Sequence, residues 1–471
     1  MNRRKFFKNG SVFTLGSVLL NPFQNTDVPD VLAENHKGIR AKNIIMMVSD
    51  GMSSGTLTMT DLLLQRKSGT GSNWLNLYRE QKAVRGLMDM ASASSIVTDS
   101  AAASSSWGAG YRVPNGSLNV GANGESYTPI WQKFKQSGKM AGCVTTVPVT
   151  HATPAGFCVN SKSRNGQSDI AEQYLELGFD VLLGGGDQFF NAQFRKDKKD
   201  LYAAYRSKGY QVARNRSELF QINGKQPVLG IFAEDGLPYA LDHANDRELK
   251  NNVPTLAEMT QKAIEHLQHH SNGFVLQVEG GKVDWAAHAN CVGGLLYDQA
   301  AFDEAIKVVM DFALKNGETL VVITSDHGNA NPGLIYGKQT DSHFDSIQTY
   351  RHTNEWILNG LSSQSTVSQV IERVEYANGY KLKEEEAKVL LDFYTGLTKE
   401  DGLYNYKKLP YKALSEMQKF RNAVGWISMD HSSDYTEIAM VGPGSERLTP
   451  FIKNTDLHQL LLKAAQVMVD V

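Results

Sequence analysis

Short apolar runs and longer amphipathic stretches alternate along most of this chain. Asn43-Ile44-Ile45-Met46-Met47-Val48 runs into Ser49-Asp50-Gly51. Phe274-Val275-Leu276-Gln277-Val278 runs into Glu279-Gly280-Gly281, and Thr319-Leu320-Val321-Val322-Ile323-Thr324 into Ser325-Asp326-His327-Gly328. A short continuous apolar run stopped by turn residues predicts a buried strand followed by a loop. Between these runs, Leu256, Met259, Ile264 and Leu267 fall at helical spacing. They predict a helix opened by Pro254 and reaching about His270, and a second helix covers roughly Gly294 to Leu314. Strands alternating with helices predict an α/β fold: a central, mostly parallel sheet flanked by helices on both faces.

Each of the three runs delivers an acidic residue at its C-terminal end: Asp50, Glu279 and Asp326. That edge of an open α/β sheet is where sites assemble. Residues 329–420 lose the regular pattern. They carry Gly333, Gly337, Gly360, Gly379, Gly396 and Gly402 with a helix-like Lys383–Phe393, which predicts an insertion forming a crown-like cap. Thr436 to Gly442 reads as the final strand, and the apolar spacing from Leu457 to Val469 as a closing helix. Residues 41–471 are therefore expected to form a single domain.

The N-terminus departs from this pattern. Arg3 and Arg4 precede Lys5-Phe6-Phe7, and a modest apolar run follows from Val12 to Leu20. Twin arginines before a short hydrophobic stretch resemble a twin-arginine export signal. Residues 1–33 are expected to be that signal with its linker, and the polar, turn-rich residues 21–40 continue as linker. The run is shorter than the roughly 20 residues a membrane span needs. Export to the periplasm is expected rather than a stable span. No cysteine precedes Cys143, so no lipid anchor is expected.

Hydrophobic residues at 41% and charged residues at 21% exclude a disordered or membrane-embedded chain. A net charge of −2 supplies no broad basic field, which argues against a nucleic-acid partner. The three cysteines, Cys143, Cys158 and Cys291, make no disulfide framework. Cys143 and Cys158 read as small core residues, and the sequence leaves their pairing open. Cys291 is not expected to be a metal ligand.

Four segments carry chemistry. In Thr98-Asp99-Ser100-Ala101-Ala102-Ala103, small residues after a serine suit a tight strand-to-helix turn whose amides face an anion. A plain helix cap explains the same serine. In Glu279-Gly280-Gly281-Lys282-Val283-Asp284-Trp285-Ala286-Ala287-His288, Asp284 and His288 share one helix face. Carboxylate with imidazole suits zinc, and Glu279 offers a harder oxygen suited to magnesium. Asp326-His327 is a second such pair. Asp50 is a third strand-end carboxylate, with Gly51 allowing close backbone approach.

Together these segments resemble the successive motifs of bacterial alkaline phosphatases, in that family's order from Asn43 to Gly444. The resemblance also covers His151-Ala152-Thr153-Pro154-Ala155. It implies metal-dependent hydrolysis of phosphate monoesters through a phosphoserine on Ser100, with two zinc ions and one magnesium ion. Arg164, eleven residues after Thr153, corresponds to the phosphate-clamping arginine. Asp284, His288 and His431 correspond to ligands of the first zinc. Asp326, His327 and Asp50 correspond to ligands of the second, beside Ser100. Asp50, Thr153 and Glu279 correspond to the magnesium site. Asp99, His151 and Trp285 stand next to these groups. His151 replaces an aspartate of the enterobacterial type and Trp285 a lysine. This His/Trp pairing resembles some marine or cold-active bacterial members and leaves the third metal open between magnesium and zinc. His431 sits in Asp430-His431-Ser432-Ser433, outside the family's usual context. His352, in Arg351-His352-Thr353-Asn354-Glu355, is the alternative ligand. His431 is preferred because the strand and Gly442-Pro443-Gly444 after it match.

Small phosphate monoesters and inorganic phosphate are the implied ligands, and a homodimer is an assembly the family often adopts. A phosphodiesterase or sulfatase on the same scaffold is the nearest other enzyme. Arg164 favours a monoester dianion over a diester, and the sulfatase cysteine motif is missing around Ser100. A catalytically silent metal- or phosphate-binding protein is the reading of another class, and the intact nucleophile and ligand set argue against it.

Overall fold

The computed structural model describes residues 40–397, 399–400, 403–404 and 408–467. The expected export signal lies outside the described residues. Ten strands build the central sheet: β1 Asn43–Ser49, β2 Val84–Asp89, β3 Met140–Pro148, β4 Val181–Gly185, β5 Gln211–Ala213, β6 Val228–Ile231, β7 Phe274–Gly280, β8 Thr319–Thr324, β9 Thr436–Val441 and β10 Phe451–Lys453. Their order is β10-β2-β9-β8-β1-β7-β3-β4-β6-β5. Only β9 runs antiparallel to its neighbours.

The three apolar runs are the middle of this sheet. β1 is buried along its whole length between β7 and β8. Covering a large aliphatic side chain is worth about 1.5–3 kcal/mol, so such a strand is stable only with helices on both faces. The register sets Val48 opposite Glu279 on one side and Thr324 on the other. This brings the acidic strand ends to one edge.

Six helices matter for the site: α1 Ser54–Ser68, α2 Ser100–Ala109, α3 Ala152–Cys158, α4 Lys282–His288, α5 Val292–Asn316 and α6 Asn454–Ala464. The helix expected to run from Pro254 is Leu256–Leu267. A Thr255–Glu258 capping box starts it later than the proline. α5 is longer than its apolar pattern, because Cys291 caps its N-terminus and Gly317 ends it in the left-handed conformation. One apolar cluster lies under α5 and helix Leu256–Leu267, and another under α2 and α6.

Between β8 and β9, helices Val367–Asn378, Glu384–Asp392 and Tyr411–Asn422 pack around their own apolar cluster, which includes Leu358, Val374, Leu390 and Leu414. β9 is not the last strand. β10 follows it, three residues long with only its middle residue buried, too short to leave a periodic signal. The Cys143 and Cys158 sulfurs lie 3.6 Å apart in the core and are not bonded. No helix among the described residues is long and apolar enough to cross a membrane.

Candidate active site

The loops after β1, β7 and β8 interlock. Gly51 takes φ +67°, and a Cβ there would stand 2.4 Å from Asp284 Oδ1. Only glycine fits beneath that carboxylate. The Gly51 amide donates to Asp326 Oδ1 at 3.0 Å and the Met52 amide to Ser325 Oγ at 3.0 Å. α4 carries Asp284 and His288 one turn apart, with His288 Nε2 at 3.5 Å from Asp284 Oδ2. His431 arrives on a short strand, His431–Ser432, paired antiparallel with Gly328–Asn329. Its ring stacks on that of His327, centroids 3.7 Å apart.

The three histidines share one pattern. Nδ1 of His288 faces the Met429 carbonyl at 2.6 Å, Nδ1 of His327 the Gly328 carbonyl at 3.2 Å, and Nδ1 of His431 the Thr98 carbonyl at 3.0 Å. A carbonyl only accepts, so each Nδ1 carries the proton and each Nε2 turns a lone pair inward. The Nε2 atoms of His288 and His431 then face each other at 3.1 Å. Two lone pairs at that distance repel unless a cation lies between them. Carbonyl partners behind inward-facing imidazoles are the usual support of metal ligands.

The carboxylates carry the same message. Asp50 Oδ1, Asp326 Oδ2 and Glu279 Oε1 are buried with no hydrogen-bond partner. Burial pushes Glu279 up to about 7 and Asp326 up to about 8. Burial drives Asp50 well above the usual range, and its neighbours Asp326, Asp284 and Glu279 add to the rise. Burial also opposes ionisation of Asp284, but His288, His431, His327 and a 2.7 Å bond from Asn329 Nδ2 hold it below the usual range. Burial lowers His327 well below its ordinary value, with His431 adding to the effect. Buried carboxylates beside neutral imidazoles are satisfied by divalent cations.

Among the described residues, three groupings bring ligand atoms within 4.8 Å of one another: Asp284, His327 and His431; Asp50, Asp326 and His327; and Asp50, His151 and Glu279. Thr153 Oγ1 donates to Asp50 at 3.1 Å, and Thr145 Oγ1 to Glu279 at 2.5 Å. The residues fit a set of adjacent cations.

Ser100 is the first residue of α2, and its hydroxyl lies 3.2 Å from His327 Nε2. It is not the helix cap: Asp99 is, accepting from the Ala102 amide at 2.9 Å. Asp99 Oδ2 also takes Arg164 Nη1 at 3.1 Å, while Arg164 Nη2 donates to His151 Nε2 at 3.0 Å. Burial lowers His151 to about 3, helped by Arg164, and its Nδ1 points toward Glu279 Oε1 at 4.0 Å. The Trp285 ring meets His151 edge-on, centroids 6.3 Å apart.

All the sequence-predicted residues thus gather in one patch, while the alternative His352 binds Asp242 elsewhere. The sequence reading missed Asn329 and Thr145, which hold Asp284 and Glu279. Asn329 follows Asp326-His327-Gly328 directly and could have been found there. The Met429 and Thr98 carbonyls leave no residue-type signal at all.

The alkaline phosphatase family model matches residues 41–467. Alkaline phosphatase 4 of Bacillus subtilis is 31% identical over 461 residues, covering 96% of this chain and 94% of the relative. The solved alkaline phosphatase of Thermus thermophilus superposes with a TM-score of 0.85 at 33% identity, covering 92% of this chain and 93% of the other. A cold-active alkaline phosphatase of Shewanella sp. gives 0.77 at 26% identity, covering 90% and 99%. The chain belongs to the alkaline phosphatase family of metal-dependent phosphomonoester hydrolases.

Proposed function

We propose that Ser100 takes the phosphoryl group from the substrate and that Arg164 binds the equatorial phosphate oxygens. The observation that carries this reading is the Ser100 hydroxyl beside His327 Nε2, at the head of a helix and next to unsatisfied carboxylates. Asp284, His288 and His431 would hold one zinc ion. Asp50, Asp326 and His327, with Ser100, would hold a second. Asp50, Thr153 and Glu279 would hold magnesium, with His151 and Trp285 beside it in the His/Trp form of this site. Bound ions of this kind supply Lewis acidity, lower hydroxyl and water pKa values, and offset phosphate charge.

The chain's own groups do the rest. Asp99 and His151 each engage one arm of Arg164, so the guanidinium fork is set before phosphate arrives. Among the described residues the amides of Ser100 and Ala101 carry no hydrogen bond, and they face the anion at the start of α2. Ser100 Oγ attacks phosphorus, the ester P–O bond breaks and the alkoxide leaves. Water then cleaves the phosphoserine and restores the hydroxyl.

Residues 41–471 act as one catalytic unit with 329–420 as its cap, in this reading. A twin-arginine signal over residues 1–33 directs export to the periplasm. Small phosphate monoesters are the substrates, and the homodimer is an assembly to test by light scattering. The decisive experiment compares p-nitrophenyl phosphate, bis-p-nitrophenyl phosphate and p-nitrophenyl sulfate, before and after EDTA and after zinc plus magnesium. Monoester turnover lost with EDTA and restored by the metals is expected. Dominant diester or sulfate turnover overturns the substrate assignment.

A further inference from the structure

Lys282 opens α4, one helical turn before Trp285. A lysine is badly placed there on two counts. Its charge sits at the positive end of the helix dipole, and the residue is only 3% exposed, where a cation without a counter-ion is costly. Among the described residues no carboxylate lies within ion-pair distance of its ammonium and no hydrogen bond reaches it. Instead, Nζ lies 3.7 Å from the centroid of the Tyr239 ring and 4.6 Å from that of Trp285. Two aromatic faces attract a cation through their quadrupoles. Asp235 and Asp298 stand at longer range; burial pushes both carboxyls up, and Lys282 counters part of that rise.

The rest of the indole's surroundings are equally fixed. A Cβ on Gly236 would meet Trp285 Cζ3 at 2.8 Å and Lys282 Cδ at 3.3 Å, so this loop presses on both side chains. The Lys282 amide is held by Thr146 Oγ1 at 3.0 Å. On the side toward the site the indole meets His151, and His151 accepts from Arg164. A continuous line of contacts therefore runs from Lys282 through Trp285 and His151 to Arg164.

We propose that Lys282 is a positioning residue for phosphate binding: its ammonium, held between Tyr239 and Trp285, fixes the indole as the wall that sets His151 and, through it, Arg164. The inference rests on the reading of Arg164 as the phosphate-binding group. The test uses the metal-replete full chain with Lys282→Met, Lys282→Arg and Trp285→Leu, and the Lys282→Met/Trp285→Leu double variant. The measurements are KM and kcat on p-nitrophenyl phosphate, the inhibition constant of inorganic phosphate, and Tm.

Lys282→Met is expected to raise KM and the phosphate inhibition constant about 5- to 10-fold, the size of one lost cation–π contact, with a smaller change in kcat. Arginine, which keeps the cation, is expected to recover most of that loss. In the Trp285→Leu background Lys282→Met is expected to add nothing. In the metal-free protein the Trp285 indole N–H resonance, assigned by its loss in Trp285→Leu, is expected to shift in Lys282→Met. Unchanged phosphate affinity in Lys282→Met, or an equal effect with and without Trp285, overturns the proposal. Should Lys282→Met lose its folding transition, unchanged phosphate affinity in Trp285→Leu overturns it instead. A wild-type chain with no turnover fails the functional reading, which is distinct from an active wild type matched by Lys282→Met.

Discussion

Two histidine–aspartate clusters differ in one respect that matters. Between β8 and β9, His352 Nδ1 donates to Asp242 Oδ1 at 2.9 Å. The Thr353 amide and hydroxyl fill the rest of that carboxylate at 3.0 and 2.6 Å, and Trp356 stacks on the imidazole, centroids 4.0 Å apart. At the sheet edge, His327 Nε2 lies 3.2 Å from Asp326 Oδ2 and 3.6 Å from Asp50 Oδ1, and both oxygens lack a hydrogen-bond partner. The second cluster is the more deeply buried, so it is also the one that can least tolerate open valences. A polar cluster that closes on itself holds the fold together. One left open at full burial is shaped for a guest. His458 belongs with the closed kind: Nδ1 donates to the Trp107 carbonyl at 2.7 Å and Nε2 accepts from Lys133 Nζ at 2.9 Å.

The sharpest way to break this contrast is through the open site. Ser100→Ala is expected to lower kcat by about 10⁴ or more, a typical cost of removing a nucleophile. Acid-quenched protein exposed to labelled substrate should retain no phosphate, and label trapped on the variant would sink the assignment of Ser100. Chelation comes next. Stripping ions held at about 1,000 times their dissociation constant withdraws roughly 4 kcal/mol of stability. Calorimetry should therefore show a large fall in Tm with EDTA for wild type, and a much smaller one for Asp326→Asn.

The closed clusters should respond in the opposite way. Burial lowers His458 to about 4 from its ordinary 6.5, and Lys133 adds to that. Between those values the unfolded chain binds the extra proton, so the stabilisation is whole above pH 6.5 and fades as pH falls toward 4. The full shift is worth about 3 kcal/mol. Denaturation of the metal-free protein should show the wild-type advantage over His458→Gln shrinking across that window, and a pH-independent difference would contradict it. The smallest effect is expected from His352→Gln: a loss of about 1–2 kcal/mol for a broken buried hydrogen bond. Metal content by emission spectroscopy should not change, and a loss of bound metal would erase the distinction between the clusters.

The centre of the fold was readable because β1, β7 and β8 are covered on both faces, which forces unbroken apolar runs ending in turn residues. The flanks were not. β2 has one buried residue, Met88, among half-buried and exposed ones, and β5 and β10 are three residues each, so none leaves a continuous apolar run. At the site, residue types with inherent chemistry drew the eye: Asp50, Ser100, Asp284, His327. What orients them was harder to see. Thr145 and Asn329 are common polar residues, and the carbonyls behind the histidines belong to no residue type. The distinction between His431 and His352 is likewise one of partners, which only three dimensions supply.

The route of the backbone to His431 has a kinetic side. Asp326 and His327 follow β8 directly, whereas His431 returns only after the described helices that lie between β8 and β9. Lengthening such an excursion is cheap at equilibrium, at about 0.6 kcal/mol per doubling, but its closure is a non-local event that comes slowly. In chain order all three strand-end carboxylates, Asp50, Glu279 and Asp326, precede the imidazole that faces His288. The grouping of Asp284, His327 and His431 is therefore complete only once that long excursion of the chain has closed.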